Sequence, residues 1–288
     1  MPELPEVEAL AADLRNRLKD RAVVRVDIAA FSALKTFDPA LSALHGLLVD
    51  DVTRHGKFLD ITVSGLHLVL HLSRAGWVRW REEVPRTPPK PSHRSPIAAR
   101  VVLDNGSGLD ITEAGTKKRL AIYVVRDPAE VPGIARLGPD PLTEEFTRDT
   151  LRQILADAGR AQLKGVLRNQ STIAGIGNAY SDELLHAARM SPFKPASSVT
   201  DEELEILFDT IRTVLGDAVE RSRGLAAAEL KGEKKSHLAV HGRAGQACPV
   251  CGDTVREVAF ADSALQYCPT CQTGGKPLAD RRMSRLLK

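Results

Sequence analysis

Apolar side chains recur at Val7, Leu10, Leu14 and Leu18, with charged and small residues between them. That spacing puts them on one stripe and predicts a single amphipathic helix over residues 4–18. From residue 22 the pattern shortens. Runs at 22–28, 58–63, 66–72, 99–103 and 120–125 are β-rich and bounded by turn residues, and no helical period separates them. Strands in succession without helices predict a β-sandwich with flanking helices. Beyond residue 142 the helical period returns. Leu151, Ile154 and Leu155 share one helix face, and Leu204, Leu207, Ile211, Val214 and Leu215 share another. Thr200-Asp201-Glu202-Glu203 reads as the capping box that starts the second.

The breaks between these patterns set the domain plan. Residues 127–142 carry Pro128, Pro132, Pro139 and Pro141 and read as a linker. Residues 86–94, with three prolines and three basic side chains, read as an exposed loop, open either to phosphate or to solvent alone. The expected division is 1–130 for the β-sandwich, 131–235 for a helical domain, 236–275 for a small finger that carries all the cysteines and 276–288 for a basic tail. In the tail, Lys276, Arg281, Arg282, Arg285 and Lys288 face Asp280 alone. The whole is an α+β multidomain chain.

Composition narrows the class. At 288 residues the chain is long enough for two cores. No run approaches the roughly 20 apolar residues of a membrane span. Glu3, Glu6 and Glu8 interrupt any apolar leader, so the expected location is cytoplasmic, with no membrane partner. The net charge is only +3, so a nucleic-acid surface must be a local patch.

All four cysteines lie in two knuckles, Cys248-Pro-Val-Cys251 and Cys268-Pro-Thr-Cys271, separated by 16 residues. Four thiolates close a tetrahedral site and leave no position for water, which predicts one structural Zn2+. Redox use of the two pairs is the competing reading.

The first residues, Met1-Pro2-Glu3-Leu4-Pro5-Glu6-Val7-Glu8, hold a second chemical signal. Removal of Met1 turns the Pro2 nitrogen into a free secondary amine with a reference pKa near ~8. Such an amine is a nucleophile without needing burial. Glu3 and Glu6 lie within one turn of it and can move protons. The same residues also read as an ordinary helix start, with proline and acidic side chains in the first turn.

This octet resembles the opening of the formamidopyrimidine-DNA glycosylase (Fpg/Nei) family, and three more stretches resemble that family in order and distance. They are Arg54-His55-Gly56-Lys57-Phe58-Leu59, residues 163–192 with Gly175-Ile176-Gly177-Asn178, and the two cysteine knuckles. The resemblance implies a helix–two-turn–helix in the helical domain and a zinc hairpin that presses on DNA. It implies catalytic roles for Pro2, Glu3, Glu6 and Lys57, the last assisting β-elimination. It implies DNA contacts from His71, Lys164, Asn178 and Arg243, while Asp182 and Glu183 serve the fold. For Lys164 an ordinary surface lysine, and for His71 a satisfied core histidine, are the plain alternatives.

The implied activity is that of a bifunctional DNA glycosylase and AP lyase in base excision repair. It excises an oxidised purine such as formamidopyrimidine through a Schiff base at Pro2. The same chemistry on oxidised pyrimidines, abasic sites or cross-linked bases is an alternative, as is a non-catalytic, zinc-dependent damaged-DNA-binding protein. The implied partner is damaged double-stranded DNA, bound by a monomer associated with the nucleoid.

The chain also departs from the family. Arg74, in Ser73-Arg74-Ala75-Gly76, stands where a methionine wedge is usual. Residues 113–121, Glu-Ala-Gly-Thr-Lys-Lys-Arg-Leu-Ala, replace an Arg-Arg-Phe-Gly loop, so Lys118 or Arg119 is expected to meet the estranged base and Leu120 to intercalate. Ser263 stands where the family's finger has an arginine that pinches phosphates and assists δ-elimination.

Overall fold

The computed structural model describes residues 1–91, 95–260 and 263–279. The chain forms two units. One comprises Met1–Leu137 and Val219–Glu233, the other Gly138–Ala218 and Lys234–Lys288.

In the first unit, helix α1 spans Leu4–Leu18, as its period predicts. The backbone N–H of Glu3 donates to Glu6 Oε2 at 2.8 Å and closes the helix start. Among the described residues eight strands follow: β1 (Val23–Ile28), β2 (Val49–His55), β3 (Phe58–Val63), β4 (Leu66–His71), β5 (Gly76–Arg81), β6 (Ile97–Leu103), β7 (Gly108–Glu113) and β8 (Ala121–Val125). They make two antiparallel four-stranded sheets, ordered β1-β6-β7-β5 and β2-β3-β4-β8. Val7, Leu10 and Leu14 of α1 join Leu59, Ile61, Leu68 and Leu70 of one sheet and Val101, Leu109 and Ile111 of the other in a single core. Full burial of each such side chain stabilises the fold by roughly 1.5–3 kcal/mol.

β2, β5 and β7 have no counterpart among the expected strands. The last is instructive. Asp110, Thr112 and Glu113 are buried on it together with Leu109 and Ile111, so both faces of this strand are closed off from water. The buried carboxylate is tolerated because Arg100 Nε reaches Asp110 Oδ1 at 2.6 Å and Arg81 Nε reaches Asp110 Oδ2 at 3.0 Å.

Residues 219–233 belong to the first unit although their sequence reads as part of the helical domain. Ala227 and Leu230 enter its core, and Trp77 Nε1 donates to the Ala227 carbonyl at 2.9 Å.

The second unit contains α2 (Arg148–Ala158), α3 (Leu163–Arg168), α4 (Asn178–Ala187) and most of α5 (Asp201–Ser222). After α6 (Leu230–His237) comes a hairpin, β9 (Arg256–Ala259) with β10 (Ala264–Tyr267), and then α7 (Pro269–Thr273). The capping box of α5 forms, with Glu203 N on Thr200 Oγ1 at 3.3 Å and Thr200 N on Glu203 Oε2 at 2.9 Å. Between α3 and α4, Gly175 takes φ +86°, a backbone conformation that other residues adopt only under strain.

Among the described residues no helix is long and apolar enough to cross a membrane. The expected basic tail lies outside the described residues from Asp280 onward, as do His93 and Arg94 of the proline-rich loop. Leu278, at the start of the tail, packs beside Val258, Leu265 and Tyr267, and its N–H donates to Tyr267 Oη at 2.7 Å.

Candidate nucleic-acid interface and zinc centre

In the first unit the N-terminus and one turn are built as a pair. Pro2, Glu3 and Glu6 are all buried at the start of α1. Lys57, also buried, stands in the tight turn between β2 and β3, beside Gly56 with φ +57°. Arg54 ties the two together. Its Nε donates to Glu8 Oε2 on α1 at 2.7 Å and its Nη1 to the Gly56 carbonyl at 3.2 Å. Behind the turn the buried Asp60 accepts from His55 Nε2 at 3.1 Å and His67 Nδ1 at 3.0 Å.

His71 closes β4 opposite Phe58, with ring centroids 4.6 Å apart. Burial, and then the Lys57 charge, lower its pKa from the usual histidine range to about 4. It is therefore a neutral ring at pH 7.

The two loops that follow are exposed. Arg74 sits on the β4–β5 turn, after Ser73 at φ +53°. Lys118 and Arg119 are exposed as well, but the loop carrying them is shaped from inside by Glu113. The carboxylate of Glu113 accepts the N–H of Arg119 at 2.7 Å and of Leu120 at 3.0 Å, and Lys118 Nζ donates to the Glu113 carbonyl. Leu120 does not project. It is 2% exposed and part of the core, so the expectation that it intercalates is corrected: its apolar side chain fills the sandwich.

In the second unit Asn178 opens α4. Its Nδ2 donates to the Ala264 carbonyl of the hairpin at 2.8 Å, and its Oδ1 accepts from Arg168 Nη1 at 3.2 Å. Arg168 is an exposed cation at this turn that sequence reasoning passed over; only its place ten residues before Asn178 signals it. Gln170 braces the turn by donating to the Ile176 carbonyl at 2.7 Å and accepting from Gly175 N at 3.1 Å.

Lys164 is 5% exposed. Its ammonium donates to the Asn178 carbonyl at 3.2 Å, Ser181 Oγ at 2.8 Å and Asp182 Oδ1 at 2.6 Å. Its geometry is that of an internal brace. The carboxylate of Asp182 also meets His241 Nδ1 at 2.7 Å. Glu183 accepts three successive N–H groups, those of Ala239, Val240 and His241. These acids hold the approach to the finger. Arg243, on that approach, is half-buried and donates to Gln246 Oε1 at 3.0 Å.

The four cysteine sulfurs all lie within 4.8 Å of one another, with Cys248 and Cys271 3.9 Å apart and Cys251 and Cys268 3.4 Å apart. Sulfurs at ~2.3 Å from a tetrahedral ion stand roughly 3.8 Å apart, so the donor set fits Zn2+ in both chemistry and spacing. His186 of α4 adds a fifth polar group, its Nε2 3.3 Å from Cys248 Sγ.

Three family models match this chain in sequence. The formamidopyrimidine-DNA glycosylase N-terminal domain covers residues 1–118, the formamidopyrimidine-DNA glycosylase H2TH domain 137–228, and the zinc finger found in FPG and IleRS 245–274. A formamidopyrimidine-DNA glycosylase of Symbiobacterium thermophilum is 38% identical over 98% of this chain and 93% of its own length. The chain belongs to the formamidopyrimidine-DNA glycosylase family.

Other family relatives agree. An uncharacterised formamidopyrimidine-DNA glycosylase-like protein of Mycobacterium tuberculosis is 57% identical over 56% of this chain and 99% of its own length. The crystal structure of MutM (Fpg) from Thermus thermophilus superposes with a TM-score of 0.80 at 32% identity, covering 96% of this chain and all of that one. The Fpg of Lactococcus lactis, solved in complex with DNA containing an abasic site, shares the fold at a TM-score of 0.82 and 23% identity, covering 94% of this chain and 99% of that one.

Within this family frame, the finger hairpin has no arginine near its tip among the described residues. Phe260 N donates to the Ser263 carbonyl at 2.7 Å to close the tip. Arg256 pairs with Tyr267 at the opposite end of the hairpin, next to Cys268, so it does not stand in for an arginine at Ser263.

Proposed function

We propose that this chain is a bifunctional DNA glycosylase that removes oxidised purines of the formamidopyrimidine kind from duplex DNA and then cleaves the abasic site by β-elimination. One observation carries the reading: Pro2 is buried at the rigid start of α1 with two buried carboxylates, Glu3 and Glu6, in the same turn.

The chemistry requires a free Pro2 nitrogen, and so the loss of Met1. A target sugar C1′ is shielded inside the duplex, so the damaged nucleotide must be extruded first. The Pro2 nitrogen attacks C1′ with its lone pair, and the glycosidic electrons leave with the base. Loss of the amine proton and opening of the sugar give a Schiff base between Pro2 and C1′. Glu3 is the proton carrier at the opened sugar. Glu6 holds the N-terminal backbone, as its contact with Glu3 N supports. Removal of a C2′ proton expels the 3′ phosphate, and Lys57 assists on that side.

His71, Arg74, Lys118, Arg119, Asn178 and Arg243 contact DNA in this reading, with Arg168 added beside Asn178. Lys164 acts through Asp182 and Asn178 and does not meet phosphate. Zinc supplies structure to the finger and takes no part in bond breaking. The enzyme acts as a monomer in the cytoplasm, on the nucleoid. The complex of the L. lactis relative with abasic-site DNA supports the choice of partner.

Borohydride reduction in the presence of abasic-site duplex tests the proposal. Protein shown by intact mass to lack Met1 should form a covalent adduct at Pro2, and Pro2→Gly should form much less. Absence of any adduct from Met1-free protein, with DNA binding intact, would overturn the lyase assignment in favour of a zinc-dependent DNA-binding protein.

A further inference from the structure

Four thiolates around one Zn2+ leave a centre of net negative charge on sulfur. Such a centre keeps its metal better when neighbouring donors share that charge. Backbone N–H groups supply such donors at Cys251 and Cys268, from Asp253 and Cys271, and at Cys248 a side chain stands in position. His186 lies in the last turn of α4 and is 5% exposed, and its Nε2 is 3.3 Å from the Sγ of Cys248, itself 3% exposed. The two residues are 62 positions apart, so the contact is a product of folding and not of local sequence.

Its direction follows from elementary chemistry. A zinc-bound sulfur offers only lone pairs. A bare ring nitrogen facing it would place two lone pairs together out of water and leave both unsatisfied. The ring therefore carries its hydrogen on Nε2. The helix that presents it is held to the finger by Asp182 and Glu183, whose carboxylates take His241 Nδ1 and the N–H groups of Ala239, Val240 and His241. On α4, residues 178, 182, 183 and 186 meet the finger and its approach, and among the described residues of this helix 186 is the one that reaches sulfur.

We propose that His186 is a positioning residue of the zinc centre: its Nε2–H donates to the Cys248 thiolate, draws charge off that sulfur and holds the metal against loss. This goes beyond the four ligands themselves, and it stands or falls independently of the glycosylase reading.

The test uses the full-length protein loaded with Co2+ or Zn2+. In the Co2+ form, His186→Phe should move the sulfur-to-cobalt charge-transfer band to lower energy, and His186→Gln, which keeps an N–H donor, should return it towards the wild-type position. Transfer of Zn2+ to a chelator should be at least ~10-fold faster for His186→Phe and near the wild-type rate for His186→Gln. An unchanged band together with an unchanged transfer rate in His186→Phe would overturn the proposal. A long-range 1H–15N correlation on zinc-loaded wild-type protein labelled at histidine decides the matter even if the phenylalanine variant does not fold. The Nε2–H tautomer is expected at His186, and the Nδ1–H tautomer refutes the inference.

Discussion

Lys164 Nζ lies 2.6 Å from Asp182 Oδ1, with both side chains closed off from water. The ammonium directs its other two hydrogens to the Asn178 carbonyl and Ser181 Oγ. Lysine at this place thus neutralises a carboxylate that is itself committed to His241 and to the backbone N–H of Gln266.

Removing one partner of such a pair strands the other charge in a dry site. Lys164→Met should therefore cost on the order of 3–5 kcal/mol of stability, read by denaturant unfolding of the second unit. The salt dependence of DNA binding should keep its slope. If the lysine instead neutralised a phosphate, its removal would lower that slope by about 0.9, and a drop of that size would show that Lys164 reaches DNA.

His71 predicts a dependence on acid. Its pKa in the folded protein is about 4, below the unfolded value near 6.5, because burial and Lys57 disfavour the charged ring. The unfolded chain then binds the proton first. The contribution of the neutral ring is whole above pH 6.5, declines as pH falls and is gone below about 4. The slope is at most ~1.4 kcal/mol per pH unit for this one group. Unfolding free energies measured between pH 4 and 7 should flatten in His71→Asn relative to wild type. Parallel curves would place the acid sensitivity elsewhere.

The zinc hairpin is too short to bury a core of its own, and Asn178 is tied to it through the Ala264 carbonyl. Stripping Zn2+ with a chelator should remove the amide-exchange protection of residues 245–274 and weaken DNA binding, while the strands of the first unit stay protected. Apo protein that binds DNA as tightly as the zinc form would refute the staple.

Ser263 offers a neutral hydroxyl where the family has a guanidinium, which alone can grip phosphate through two parallel hydrogen bonds. β-Elimination products should dominate in the wild type. Ser263→Arg should raise the share of δ-elimination severalfold on a gel of abasic-site cleavage products. An unchanged ratio would remove the missing arginine as the cause.

Much of this protein is legible in one dimension because its signals are local. The helix at residues 4–18 follows from a period of 3.6, the capping box at Thr200 from a spacing of three, and the metal site from two CxxC pairs whose sulfurs must converge on one ion. Of the strands, β3 matches its expected bounds to the residue. β7 is missed although Leu109 and Ile111 alternate with Asp110 and Thr112; what no local pattern records is that its acid is buried, which the arginines of neighbouring strands make tolerable. Leu120 shows the same limit from the other side. Apolar and set in a basic loop, it reads as a wedge, yet the Glu113 carboxylate turns the chain so that it packs inward.

The sequence by itself determined which groups this protein owns: a proline next to its first methionine, two nearby carboxylates, a Gly-Ile-Gly-Asn turn and four paired cysteines. Tertiary structure decided what each group is free to do. It sealed Lys164 against Asp182, discharged His71, brought His186 to a zinc ligand and carried residues 219–233 back to the first unit. The reason is that burial and charge compensation depend on neighbours distant in the chain, and those exist only once the chain has folded.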